Sequence, residues 1–194
     1  MFIKNKKKTC KIIKITYLKI ILILINILFI TVVACQDIEV RKPLNEKSSI
    51  FLKNSALRNK KRVDLESILI NEARDLDKQN TYKSSTLGFL YFVKNEKKGS
   101  LAKKGDFVEV QYQIEDLNKN ILYSKDELQN IRFIIDKEEV LPALREGVKL
   151  LSEGETGIFL FPSHFCYGYQ GDMEKISPNQ PLRFLIKLVS LTKN

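Results

Sequence analysis

The chain reads as an α+β protein, one short apolar helix against a twisted antiparallel sheet, preceded by a helical extension. Three observations predict this. Apolar residues alternate with polar ones in several short segments of the C-terminal half, they recur at helical spacing in two other segments, and turn-forming residues separate the pieces. At 194 residues there is room for one domain plus an extension.

Taken in order, Asp64 can cap a helix that begins at Leu65 and ends near Lys78. Leu65, Ile68, Leu69, Ala73 and Leu76 share one face of it. That stripe is expected to pack on the following domain, with a dimer contact as the alternative. Residues 87–93 read Leu-Gly-Phe-Leu-Tyr-Phe-Val, a short strand in which Gly88 marks a bulge or a close backbone approach. After Gly105, Val108, Val110, Tyr112 and Ile114 alternate with Glu109, Gln111, Gln113 and Glu115, the pattern of a half-buried strand. Asn118-Lys119-Asn120 turns the chain, and residues 121–124 and 131–135 are two further strands. Pro142 suits the first turn of a helix on which Leu141, Leu144, Val148 and Leu151 share a face, and Gly154 can end it. Strands return at 156–161 and 182–191. In the last, Leu182, Phe184, Ile186 and Leu188 alternate with Arg183 and Lys187.

The N-terminus carries most of the charge. The formal net charge is +10, but residues 1–34 hold seven lysines and no acid, leaving 26 basic against 23 acidic residues in the rest. A basic leader is not the concentrated basic face that phosphate binding needs, so no nucleic-acid partner is expected. Lysines precede an apolar run over 20–34, which ends Val32-Val33-Ala34-Cys35. Fifteen residues are short of the roughly 20 that cross a bilayer as a helix, and the run fits a secretory leader, with an uncleaved signal anchor as the alternative. Ala34 before Cys35 resembles the lipobox of bacterial lipoproteins, which implies lipidation of Cys35 and loss of residues 1–34. Residues 35–80 are then a tether and helix, and 81–194 the main domain. Of three cysteines only Cys166 is left without a role, so no intramolecular disulfide is expected.

Two stretches carry the function. Val140-Leu-Pro-Ala-Leu-Arg-Glu-Gly-Val148 is followed by Phe161-Pro-Ser-His-Phe-Cys-Tyr-Gly168, Gly171 and Ile176-Ser-Pro178. Their order and spacing resemble FKBP-type peptidyl-prolyl isomerases, which implies an FKBP-like sheet wrapped on one helix and catalysis of X-Pro rotation. The barrier to that rotation is about 18–20 kcal/mol, and lowering it needs only a twisted amide, with no metal and no cofactor. Position by position, the resemblance implies catalytic roles for Tyr112, Val140, Leu141, Leu144, Tyr167 and Phe184. It implies substrate contacts for Leu122, Ile131 and Ile176. Leu144 is the floor, Leu141 offers its backbone amide, and Tyr167 offers its hydroxyl from an overhanging loop that also carries Tyr169. Where the family often has an aromatic floor, a Phe-Asp pair and a wall phenylalanine, this chain has Leu144, Leu122-Tyr123 and Ile131, so a wider and less aromatic pocket is expected. The lipobox, the Leu122-Tyr123-Ser124 run and the Phe161-Pro-Ser163 start of the loop are similar to the isomerase lipoproteins associated with gliding motility.

The expected partners are therefore proline-containing polypeptides and, through Cys35, a membrane of the cell envelope. Gln36 after the lipidated position leans toward the outer membrane. A chaperone that binds proline segments without turnover, or a structural part of a motility apparatus, is the alternative. Other candidate chemistries are weak. His164 is the only histidine and is expected to be structural, Cys166 a buried inert thiol, and Glu138-Glu139 a solvated edge because adjacent side chains point apart. Phe159, Phe161 and Phe165 are expected in the core.

Overall fold

The computed structural model describes residues 19, 21, 22 and 45–194, with side chains for 19, 21, 22 and 50–194. Apart from residues 19, 21 and 22, the expected leader lies outside the described residues, and so does Cys35. Residues 50–194 make up one compact unit.

Helix α1 (Asn45–Leu76) is 32 residues long. It starts well before the expected Leu65 because residues 45–64 contain neither proline nor glycine, and nothing there interrupts the hydrogen-bond ladder. Asp64 is therefore inside the helix and caps nothing. The expected packing face is also wrong. Leu65, Ile68, Leu69 and Leu76 are exposed, Leu76 at 81%. The face turned inward carries Arg62, Glu66 and Ile70, with Asp77 just beyond the last turn. The reason lies in what α1 meets, which includes the backbone and hydroxyl of Ser163, donors that a carboxylate can satisfy and a leucine cannot. Beyond the helix, the buried Asp77 accepts from Asn80, Tyr82 and Lys119 and so ties the chain to the turn at Lys119.

The sheet is antiparallel throughout. Its strands are β1 (Lys83–Ser84), β2 (Leu90–Val93), β3 (Phe107–Glu115), β4 (Ile121–Tyr123), β5 (Ile131–Ile134), β6 (Thr156–Phe161) and β7 (Leu182–Thr192). They lie in the order β1-β2-β6-β7-β3-β4, with β5 also paired to β3. Residues 87–89, expected at the start of a strand, instead belong to the turn between β1 and β2. The Ser85 amide donates to Phe89 O at 2.8 Å, and Gly88 takes a φ of +92° there.

Short helix α2 (Lys125–Leu128) is capped by the Ser124 hydroxyl, which accepts from the Glu127 amide. The pocket helix α3 (Pro142–Val148) buries Ala143, Leu144, Gly147 and Val148. It ends at Val148, before Leu151, and Gly154 lies in the turn that leads into β6. A Cβ on Gly147 would sit 2.7 Å from the Ile186 side chain, so glycine allows α3 to lie directly on β7.

Phe89, Phe133, Phe159, Phe161 and Phe184 fill the core, and Phe165 is buried beside them. Each fully buried aromatic or aliphatic side chain stabilises by about 1.5–3 kcal/mol. Arg183 departs from the alternation expected of β7. It is buried and paired with the equally buried Glu115, which stands opposite it on β3. Buried alone, either charge would be strongly destabilising.

Candidate functional site

The nine residues singled out for the pocket meet in one hydrophobic cluster. Leu144, Ile176 and Phe184 are buried in it, while Tyr112, Leu122, Ile131, Val140, Leu141 and Tyr167 are half-buried around them. Register accounts for the centre. Ile114 pairs with Phe184 and Tyr112 with Ile186, so Tyr112 is the diagonal neighbour of Phe184. The two rings lie parallel with centroids 6.4 Å apart, and Phe161 meets Phe184 edge-on at 5.7 Å. β4, β5 and the segment before α3 each bring one or two aliphatic side chains to the same basin.

Two polar donors stand among these apolar groups. Leu141 has an extended backbone, and its carbonyl accepts from the amides of Leu144 and Arg145 at 3.0 and 3.1 Å, which starts α3. Its own amide has no acceptor among the described residues. The Tyr167 hydroxyl is likewise without a hydrogen-bond partner among them. Burial, and secondarily the neighbouring Tyr112, Asp172 and Cys166, push its pKa up to about 12. Both groups can donate to a carbonyl brought into the basin, and neither has an internal bond to break first.

The loop that carries Tyr167 is bonded along its length. Ser163 O accepts from the amides of Cys166 and Gly168, both at 2.9 Å, and Gly168 O accepts from the Asn179 amide at 2.7 Å. Asp172 Oδ1 accepts from the amides of Glu174 and Ile176, and its Oδ2 accepts from the Tyr123 hydroxyl at 2.5 Å. Burial opposes ionisation of Asp172, but the Tyr123 hydroxyl and these amides outweigh it and hold the carboxyl below the usual carboxylate range. The same hydrogen bond raises the Tyr123 phenol. Lys175 covers the Tyr123 ring at 4.3 Å and bonds Glu127 at 2.6 Å.

Asp172 is the residue that sequence reasoning missed. Replacement of the family's Phe-Asp pair by Leu122-Tyr123 leaves no carboxylate on β4, but Asp172 places one against Tyr123 from the opposite loop. The available signal was local, an aspartate whose side chain folds back onto amides two and four residues on. The remaining candidates are soon placed. Tyr169 is 72% exposed and overhangs nothing. His164 is exposed, with its ring 4.5 Å from Phe165, and Glu138 and Glu139 are solvated. Cys166 is buried, and burial raises its thiol pKa far above the reactive range.

Sheet, helix and loop together define a small α+β domain, and comparison with known proteins gives its family. The pattern of FKBP_C, the FKBP-type peptidyl-prolyl cis-trans isomerase family, matches residues 98–189. The probable FKBP-type peptidyl-prolyl cis-trans isomerase FkpA of Neisseria meningitidis is 30% identical over 109 residues, 56% of this chain and 40% of that protein. FK506-binding protein 2 of Yarrowia lipolytica is 31% identical over 54% of this chain and 74% of its own length. Peptidyl-prolyl cis-trans isomerase FKBP1A of Xenopus laevis is 34% identical over 46% of this chain and 83% of its own length. The chain belongs to the FKBP-type peptidyl-prolyl cis-trans isomerase family, an enzyme class. Solved structures share the fold. FkpA from Escherichia coli superimposes with a TM-score of 0.55 at 24% identity, covering 82% of this chain and 74% of that one. A peptidyl-prolyl cis-trans isomerase from Pseudomonas syringae gives 0.56 at 21%, covering 69% and 96%.

Proposed function

We propose that the chain is a lipid-anchored prolyl isomerase that speeds the folding of secreted or envelope proteins. One observation carries the reading: two donors without a partner among the described residues, the Leu141 amide and the Tyr167 hydroxyl, stand beside apolar Leu144, Ile176 and Phe184. A planar amide spreads charge between oxygen and nitrogen, and the twisted amide is less polar. An apolar basin therefore disfavours the planar form relative to the transition state. Tyr112, Phe184 and Leu144 clamp the proline ring, with Val140 at the rim and Leu122 and Ile131 as walls, while the chain on the other side rotates. The two donors hold the substrate's carbonyls in register. Uncatalysed, the step takes tens to hundreds of seconds, slow enough to limit folding.

The anchoring half of the proposal rests on sequence. Residues 1–34 act as a lipoprotein leader, Cys35 carries the lipid, residues 35–80 link it to the domain, and 81–194 are the isomerase. Several acyl chains at one end give a stable anchor where one holds only marginally. Gln36 after the lipidated cysteine favours the outer membrane, and the resemblance of the lipobox, Leu122-Tyr123-Ser124 and Phe161-Pro-Ser163 to gliding-motility isomerase lipoproteins favours that subgroup.

Cis-to-trans relaxation of an X-Pro peptide tests the activity. The full chain is expected to accelerate it, and Tyr167→Phe, which removes only the hydroxyl, to slow it without lowering the unfolding midpoint. No acceleration by the unaltered protein sinks the reading. A second reading, proline-segment binding without turnover, is favoured by the aliphatic Leu144 at the floor. Protection of a proline-free client from aggregation, without acceleration of the peptide, establishes it instead. Intact mass of membrane-extracted protein tests the anchor: a species lacking residues 1–34 and carrying acyl chains on Cys35 is expected, and Cys35→Ala abolishes it.

A further inference from the structure

Beside the apolar Ile70, α1 turns two polar side chains toward the domain, Arg62 and Glu66, and these reach the ends of the Tyr167 loop. Glu66 is buried, 5% exposed. Its Oε2 accepts from the Ser163 amide and its Oε1 from the Ser163 hydroxyl, both at 2.7 Å. One helical turn earlier, Arg62 donates from Nη1 to Asn179 Oδ1 at 2.9 Å, and its Nε lies 3.6 Å from Glu66. Ser163 begins the loop and Asn179 ends it. Between them, Ser163 O accepts from the Cys166 and Gly168 amides, and Gly168 O accepts from Asn179, so the residues on both sides of Tyr167 are bonded to the two groups that α1 holds.

Simple stability does not account for such a pair. A buried carboxylate loses its hydration, and an apolar contact of similar size generally serves stability as well or better. What the arrangement supplies is direction. Two hydrogen bonds to one serine and a third to the asparagine that closes the loop leave the Tyr167 backbone little freedom to rotate or slide, and catalysis by orientation is sensitive to shifts of about 1 Å.

We propose that Arg62 and Glu66 are positioning residues of the isomerase site. Through Ser163 and Asn179 they set where the Tyr167 hydroxyl stands over the basin, so the N-terminal helix is part of the working enzyme and more than a spacer. The inference rests on the reading of Tyr167 as the loop's substrate-facing donor.

The test uses the full chain, a peptide relaxation assay and amide hydrogen exchange. Glu66→Leu removes both bonds to Ser163 at similar volume, and kcat/KM is expected to fall roughly threefold to tenfold. Glu66→Gln keeps both bonds, its carbonyl accepting from the amide and its NH2 donating to the hydroxyl, and is expected to retain most of the activity. In a Tyr167→Phe background, Glu66→Leu is expected to cost almost nothing further, because the group it positions is gone. An equal loss in both backgrounds overturns the proposal and leaves Glu66 merely structural, as does a Gln variant no better than Leu. Exchange separates this from the activity itself. The Gly168 and Cys166 amides are expected to exchange faster in Glu66→Leu while β7 amides do not. Unchanged exchange at Gly168 overturns the positioning even if the enzyme proves active. Faster exchange in a protein that never accelerates the peptide sustains the positioning and discards the isomerase reading alone.

Discussion

Leu144 and Phe184, at the floor of the basin, are held by apolar burial among β3, β7 and α3, whereas Tyr167 above them is held by hydrogen bonds through Ser163, Gly168 and Asn179. Neither floor side chain carries a polar atom, so the floor has no side-chain hydrogen bond to lose. In the loop, Phe165, Cys166 and Ile176 are buried and Tyr167 is half-buried against the core, while hydrogen bonds fix the path of its backbone. Burial is non-directional and cooperative, so it builds a stable wall, while hydrogen bonds are directional and individually modest, so they aim a group without adding much to the fold. Stability and positioning are thereby assigned to different parts of one site.

The comparison breaks most visibly at Phe184. Truncation to alanine is expected to destabilise the domain by about 3–5 kcal/mol, read from the denaturant midpoint, because the ring is fully buried between Tyr112 and Phe161. A cost below about 1 kcal/mol shows that the floor is not built by burial. On the loop side, Gly171→Ala places a Cβ 2.2 Å from the Ile176 carbonyl at a φ of +68°. It is expected to cost more than about 1 kcal/mol and to lower activity further than its stability loss explains, since Ile176 must move.

Acidity sharpens the same contrast. Tyr167 titrates at about 12 in the folded chain, so its neutral form is favoured by folding. That contribution is complete below the ordinary phenol value of about 10 and is lost as pH rises through about 12. Asp172 runs the other way. With its carboxyl held below the usual range, it supports the loop at neutral pH and gives way only as pH falls below about 4. The isomerase rate is therefore expected to stay level between about pH 5 and 10, and a decline centred near 10 shows that Tyr167 is solvated. The smallest effect belongs to Lys175→Ala. Its ion pair with Glu127 joins two side chains 43% and 47% exposed, so neither midpoint nor rate is expected to change measurably at physiological salt.

Periodicity alone made much of the fold legible. The alternation in residues 108–115 and 182–188 and the helical spacing from Leu141 to Val148 each report which side of an element avoids water, and they marked β3, β7 and α3. The apolar pocket positions followed from the resemblance that the Val140–Val148 and Phe161–Gly168 stretches carry. α1 escaped the same logic. Its leucines mark an apolar face, yet Glu66 and Arg62 turn inward beside Ile70, because the surface they meet offers hydrogen-bond partners, donors at Ser163 and an acceptor at Asn179.

By itself, then, the sequence determined where strands and the pocket helix form, since local water avoidance is written in residue spacing. Only the tertiary structure decided the polar contacts that aim the loop: Glu66 to Ser163, Arg62 to Asn179 and Tyr123 to Asp172. These join residues 97, 117 and 49 positions apart. A hydrogen bond depends on distance and angle between two groups, and over such separations those quantities exist only once the chain has folded.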